Sequence, residues 1–167
     1  MKEIRTTTDI EAPPAVVWEV LTDFASYPAW NPFLVRIEGD AAKNERLKVT
    51  MQRERQNPLT FTPTVLEARE HRALRWLGRV LFSGIFDGEH FFELEPLKTG
   101  GTRLVHGEMF TGIAVDYFAR NLLVDIEQDF GRMNQALKSR AEALARESPG
   151  AGDAPEPRKR FGELLCG

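Results

Sequence analysis

From about Ala114 to Arg146 apolar residues recur at Val115, Phe118, Leu122, Ile126, Phe130, Met133, Leu137, Ala141 and Leu144. Steps of three and four place them on one face of a single helix. Arg120, Glu127, Gln128, Gln135, Lys138, Glu142 and Arg146 fall on the opposite, solvated face. At 1.5 Å per residue such a helix runs roughly 50 Å, more than a small domain needs to close its core. No earlier stretch is helical for so long, so the remaining chain is expected to wrap this helix. Gly131 interrupts it; a glycine there costs about 1 kcal/mol relative to alanine and is expected on the polar side.

The chain before the helix reads as strands. Residues 2–11 alternate, with Ile4, Thr6, Thr8 and Ile10 on one side. Pro13 and Pro14 end that strand and suit the first turn of a short helix over 14–24. Ser26 is placed to cap a second turn through Trp30, which Asn31-Pro32 closes. Phe33, Val35 and Ile37 alternate toward the interior, then Leu47, Val49 and Met51 do the same beyond a turn at Gly39-Asp40. Residues 59–69 give a third strand of this set, where Pro63 demands an edge or a bulge. Leu74 and Trp76 face inward in a strand ending at Gly78. Residues 85–96 and 102–111 form the last pair across a turn at Gly100-Gly101, with a bulge expected at Asp87-Gly88. Between the strands, Val80, Leu81, Phe82, Ile85 and Phe86 are too apolar for an ordinary solvated loop and suit a lid or a contact surface.

This order of strands, two short helices after the first strand, and one long terminal helix predicts an α+β fold: a curved antiparallel sheet closed over the helix. With 167 residues there is room for one core. Residues 1–146 are expected to form that single domain and 147–167, rich in Pro, Gly and Ala, a flexible tail. The net charge of −3 argues against a nucleic-acid partner. One cysteine, Cys166, excludes an internal disulfide and a cysteine-rich metal site. No apolar run is long enough for a membrane span and the N-terminus lacks a signal peptide, so a cytoplasmic monomer or homodimer is expected.

The segment from Ile10 through Trp18, Tyr27 and Trp30 to Pro32 resembles the opening of the START-like, or SRPBCC, superfamily. Leu74-Arg75-Trp76, Phe86-Asp87-Gly88-Glu89-His90-Phe91-Phe92-Glu93-Leu94 and Gly101-Thr102-Arg103-Leu104 are similar to its polyketide cyclase/dehydrase-like branch. The resemblance covers about residues 2–146. It implies a Bet v 1-like helix-grip fold with seven strands, and a cavity that in relatives holds lipids, sterols, polyketides or plant hormones. It carries no universal catalytic residue over to this chain.

Alternation on the last two strands sends His90, Phe92 and Leu94, and Thr102, Leu104, His106, Glu108 and Phe110, toward the helix. Two imidazoles and a carboxyl then project into apolar space, where each costs about 1–3 kcal/mol unless paired, hydrated or ligand-bound. Burial raises the pKa of Glu108 and lowers that of His106. Three readings follow: polar anchors for a ligand, structural or exposed groups, or a catalytic acid–base pair of His106 and Glu108. The expected lining comprises Trp30, Phe33, Val35, Val49 and Met51 on one flank. Trp76, His90, Phe92, Leu104, His106, Glu108 and Phe110 follow on the central strands, and Phe118, Leu122 and Ile126 on the helix. No phosphate-cradling loop, Ser/His/Asp signature or zinc motif is present, so neither cofactor nor metal is expected. The leading function is binding of a small hydrophobic ligand. The rivals are a cyclase or dehydratase-type enzyme and a protein-interaction or chaperone-assisting module that docks through Phe82.

Overall fold

The computed structural model describes residues 1–54, 56–80, 86–113 and 115–147, with the side chains of 80, 86 and 116–124 outside that description. Strand β1 (Lys2–Ile10) leads into α1 (Pro14–Thr22), a 3-10 turn (Phe24–Ser26) and the single turn α2 (Tyr27–Trp30). Then come β2 (Leu34–Glu38), β3 (Lys48–Met51), β4 (Leu59–Phe61), β5 (Thr64–Arg69), β6 (Ala73–Val80), β7 (Phe86–Pro96) and β8 (Thr102–Thr111). Helix α3 (Val115–Glu147) closes the fold, one residue displaced at each end from the periodicity reading. The apolar lid residues 81–85, Phe82 among them, and the tail 148–167 lie outside the described residues.

Strands run in the order β1-β8-β7-β6-β5 in one sheet and β2-β3-β4 in another, every pairing antiparallel. The helix-grip class is as expected, but among the described residues eight strands replace seven. The reason is Pro63: with no N–H to give the ladder, it splits the single strand expected over 59–69 into β4 and β5. The break is a corner, not a gap. Leu47 N donates to Pro63 O (2.9 Å) and Val65 N to Glu45 O (2.8 Å), so the two sheets join through this corner.

Two further expectations need correction. Asp87-Gly88 is no bulge, because it pairs in unbroken register with Arg79-Gly78 on one side and Thr111-Phe110 on the other. Bulges sit instead at Val35, the extra residue between the Leu34–Met51 and Arg36–Thr50 pairs, and at Leu66, between the Val65–Trp76 and Glu67–Arg75 pairs. The first moves the inward phase by one, so Leu34 and Ile37 are buried while Val35 is half-buried and outside the core. Asn31 starts this arrangement, its Oδ1 accepting from both Phe33 N (3.0 Å) and Leu34 N (2.9 Å).

Helix α3 lies on the concave face and is pinned near its end to β1. Lys138 Nζ donates to Asp9 O (2.6 Å), and Glu142 Oε1 accepts from Glu11 N (2.9 Å). Its Phe130, Met133, Leu137 and Ala141 are wholly buried, as the periodicity demands. A β-carbon at Gly131 would meet nothing within 4 Å, so that glycine is a tolerated imperfection. On the outer face Phe91 is nevertheless buried. Its ring covers Gly107, and the guanidinium groups of Arg5 and Arg75 lie 5.4 and 5.0 Å from its centre.

Candidate functional site

Alternation along β7 and β8 delivers His90, Phe92, His106 and Phe110 to the concave face, all buried. Pairing of Phe92 with His106 and of His90 with Glu108 sets the two imidazoles diagonally across adjacent strands. His106 is sandwiched between the rings of Phe92 (centroids 4.4 Å) and Phe130 (4.0 Å). His90 stacks on Trp76 at 4.9 Å, and Phe33 meets Phe130 edge-on at 5.7 Å. The inner end of the grip is therefore aromatic and tightly filled around two polar rings.

Those rings belong to a continuous hydrogen-bonded chain. Thr6 Oγ1 lies 2.9 Å from the backbone oxygen of His106 and 2.9 Å from Asn134 Nδ2. Asn134 Oδ1 lies 2.7 Å from His106 Nδ1, and His106 Nε2 lies 2.9 Å from His90 Nε2. Elementary valence settles every donor. A peptide carbonyl only accepts, so the single Thr6 hydroxyl proton points at it. Thr6 must then accept from Asn134, which leaves the amide oxygen facing His106 and puts a proton on His106 Nδ1. A neutral His106 accepts at Nε2, so His90 donates from its own Nε2 and presents a lone pair at Nδ1. That lone pair faces the carboxyl of Glu108, 3.8 Å away.

Neutrality of the imidazoles rests on burial. Desolvation pushes His90 down to about 3 and His106 well below its ordinary 6.5, the neighbouring His90 adding to the latter against the Asn134 hydrogen bond. Stacking on aromatic faces favours a desolvated cation by about 2 kcal/mol or somewhat more. Full burial is worth 3–5 pKa units, about 4–7 kcal/mol, and wins. Desolvation also pushes Glu108 up to about 8, so it holds a proton near neutrality.

Glu108 differs from its neighbours on the same face. His106 and Phe110 are sealed at 0% and 2% exposure, whereas the Glu108 side chain keeps 20%. A β-carbon on Gly88 would come 2.3 Å from its Oε1, so the bare glycine of β7 provides the carboxyl with its seat.

Of the other expected lining residues, Val49, Leu104 and Ile126 are core, Met51 is half-buried against it, and Phe33, Trp76 and Phe92 join the aromatic cluster. Trp30 is half-buried, edge-on to Tyr27 at 4.8 Å with Nε1 donating to Ser26 Oγ (3.2 Å). Ser26 thus holds Trp30 and does not cap α2 through its side chain. Val35 sits at its bulge, and the side chains of Phe118 and Leu122 lie outside the description. The expected His106–Glu108 pair is not in contact, because His90 stands between them.

Sequence reasoning missed Asn134 altogether and read Thr6 only as an inward strand residue. It also missed a buried ion pair between Arg53, after β3, and Asp129 of α3, Nε to Oδ2 at 2.9 Å. Asp125 lies 3.3 Å from Arg53 Nη2, and Arg132 pairs with the other oxygen of Asp129. The available signal was position: Asp129 and Asn134 directly adjoin the stripe residues Phe130 and Met133. Among the described residues no group of three or more His, Cys, Asp or Glu is placed to hold a metal ion. No helix among them is long and apolar enough to cross a membrane.

The architecture recurs in solved structures. The aromatase/cyclase ZhuI from Streptomyces sp. R1128 superposes with a TM-score of 0.72 at 18% identity, over 90% of this chain and 99% of that one. A Thermus thermophilus protein gives 0.68 at 16% identity over 86% and 99%. One from Mesorhizobium loti gives 0.67 at 16% over 85% and 98%. Identities this low speak for the fold alone. No curated protein sequence gives a significant match. The family model described as polyketide cyclase / dehydrase and lipid transport matches residues 1–146. With that match over most of its length, and the helix-grip architecture that goes with it, the chain belongs to the polyketide cyclase / dehydrase and lipid transport family.

Proposed function

We propose that this protein binds a small, mainly apolar molecule between the concave sheet face and α3, with Glu108 and His90 as its polar contacts. The observation that carries this reading is Glu108 itself. An acid on the inward face keeps a fifth of its side chain accessible while the residues two before and two after it are sealed. An apolar surround with a few convergent polar groups of shifted pKa is the general pattern of a small-molecule site. The family match and the fold it shares with an aromatase/cyclase support the same reading. Ligand contact then falls first to Glu108 and His90, with Trp76 and Phe110 packed around them and His106 behind His90.

Native mass spectrometry of protein purified from its own host tests the proposal. A bound mass that is lost in Glu108→Leu or Trp76→Ala supports it. A protein that carries no small molecule and binds no hydrophobic dye contradicts it.

A second reading, acid–base catalysis on a polyketide-like substrate, is favoured by the approach of Glu108 to the His90 lone pair. In that case Glu108 and His90 are the reacting pair and His106 positions them. Turnover would fall by orders of magnitude in Glu108→Gln, whereas a binder keeps most of its affinity.

A further inference from the structure

We infer that the ligand of this site is an apolar molecule that carries a hydroxyl group, and that Thr6 and Asn134 set the histidine tautomers that select it. The inference rests on the binding reading above and adds the class of ligand.

Hydrogen-bond capacity decides the class. The backbone oxygen of His106 fixes the Thr6 proton, and each later donor follows from it, so the chain runs in one direction only. It ends with His90 Nδ1 as an acceptor, 3.8 Å from a Glu108 oxygen, too far for a direct hydrogen bond, so both groups keep capacity for a third polar atom. The carboxyl contributes one proton, and its two oxygens otherwise accept. A hydroxyl both donates and accepts: it can give its proton to His90 Nδ1 or a carboxyl oxygen while taking the carboxyl proton. A ketone or ether takes that proton but leaves the His90 lone pair unmatched in apolar surroundings. A ligand carboxylate brings a charge for which this end of the chain offers no cation. Sites built to hydrogen-bond a hydroxyl reject analogues that lack it far more strongly than apolar pockets reject a change in size.

Matched probes on one ring system separate these cases. Isothermal titration calorimetry at pH 6.5 with 2-naphthol, 2-methoxynaphthalene and 2-naphthoate should show 2-naphthol at least tenfold tighter than the other two. In Glu108→Leu the naphthol and its methyl ether should bind alike. Thr6→Val, which removes the hydroxyl anchor but keeps the shape of the side chain, should shrink the preference at least threefold, and Thr6→Ser should keep it. A methyl ether that matches or exceeds 2-naphthol overturns the inference and leaves the binding reading intact. An unchanged preference in Thr6→Val overturns the positioning role of Thr6 and Asn134. Failure of all three probes to bind overturns the binding reading and the inference with it.

Discussion

The Nε2 atoms of His90 and His106 lie 2.9 Å apart in the protein interior, so one ring donates to the other and the two cannot both be charged. This contact makes the core responsive to pH. Unfolded, both imidazoles take up protons below about pH 6.5; folded, they stay neutral, His90 down to about 3. The unfolded chain then holds more protons, and stability falls as pH drops below about 6.5. Glu108 acts in the opposite sense. It loses its proton above about 4.5 when unfolded but keeps it to about 8 when folded, so stability falls as pH rises between those values. Two imidazoles outweigh one carboxyl on the acid side. Urea unfolding between pH 5 and 8 should therefore show maximal stability near pH 6.5, with a slope of about 1.4 kcal/mol per pH unit toward pH 5 and roughly half that toward pH 8, where the two titrations overlap. Glu108→Gln should flatten the alkaline limb and steepen the acid limb, since the carboxyl no longer offsets one imidazole; an unaltered alkaline limb would count against a neutral Glu108.

Gly107 and Gly131 should respond oppositely to alanine. A β-carbon at Gly107 would lie 2.4 Å from Phe91 Cζ and 2.5 Å from the backbone oxygen of Ile4, which cannot yield. Gly107→Ala should cost about 2–3 kcal/mol. At Gly131 nothing lies within 4 Å, and Gly131→Ala should stabilise by up to about 1 kcal/mol. Denaturant midpoints of the two variants check both signs.

Gly88→Ala should act on the site without unfolding the protein. The atom in the way is Oε1 of Glu108, the end of a flexible side chain, so the carboxyl moves and the strand does not. The thermal midpoint should fall by only a few degrees, while the binding preference set by Glu108 is lost. A variant that binds like the parent would show that the carboxyl's seat is immaterial.

The Arg53–Asp129 pair ties the segment after β3 to α3 and is almost fully enclosed, at 9% and 4% side-chain exposure. Arg53→Met leaves Asp129 charged and buried with only Arg132 beside it, and should cost about 3 kcal/mol. Arg53→Met with Asp129→Leu should recover most of that loss. A double variant as weak as the single one would show that packing, not uncompensated charge, sets the cost.

Much of this architecture was legible in the sequence because periodicity is a local signal. The stripe through Phe130, Met133 and Leu137 marks α3, and the alternation of His90, Phe92, His106 and Phe110 marks the concave face. Local patterns fail where one residue changes the phase. At Val35 a bulge shifts the strand by one position, and at Pro63 a missing N–H divides a strand in two. Nor does any pattern join residues 128 positions apart, as Asn134 and Thr6 are. The separation of His106 from Glu108 by His90 depends on the pairing register between β7 and β8, which alternation leaves open.

The one-way hydrogen-bonded chain through the two histidines can be read out by long-range 15N–1H correlation of their side chains. Between pH 5 and 8 both rings should be neutral and of opposite tautomer, His106 protonated at Nδ1 and His90 at Nε2. An imidazolium signal from either ring at pH 6.5, or a proton on His90 Nδ1, would contradict it.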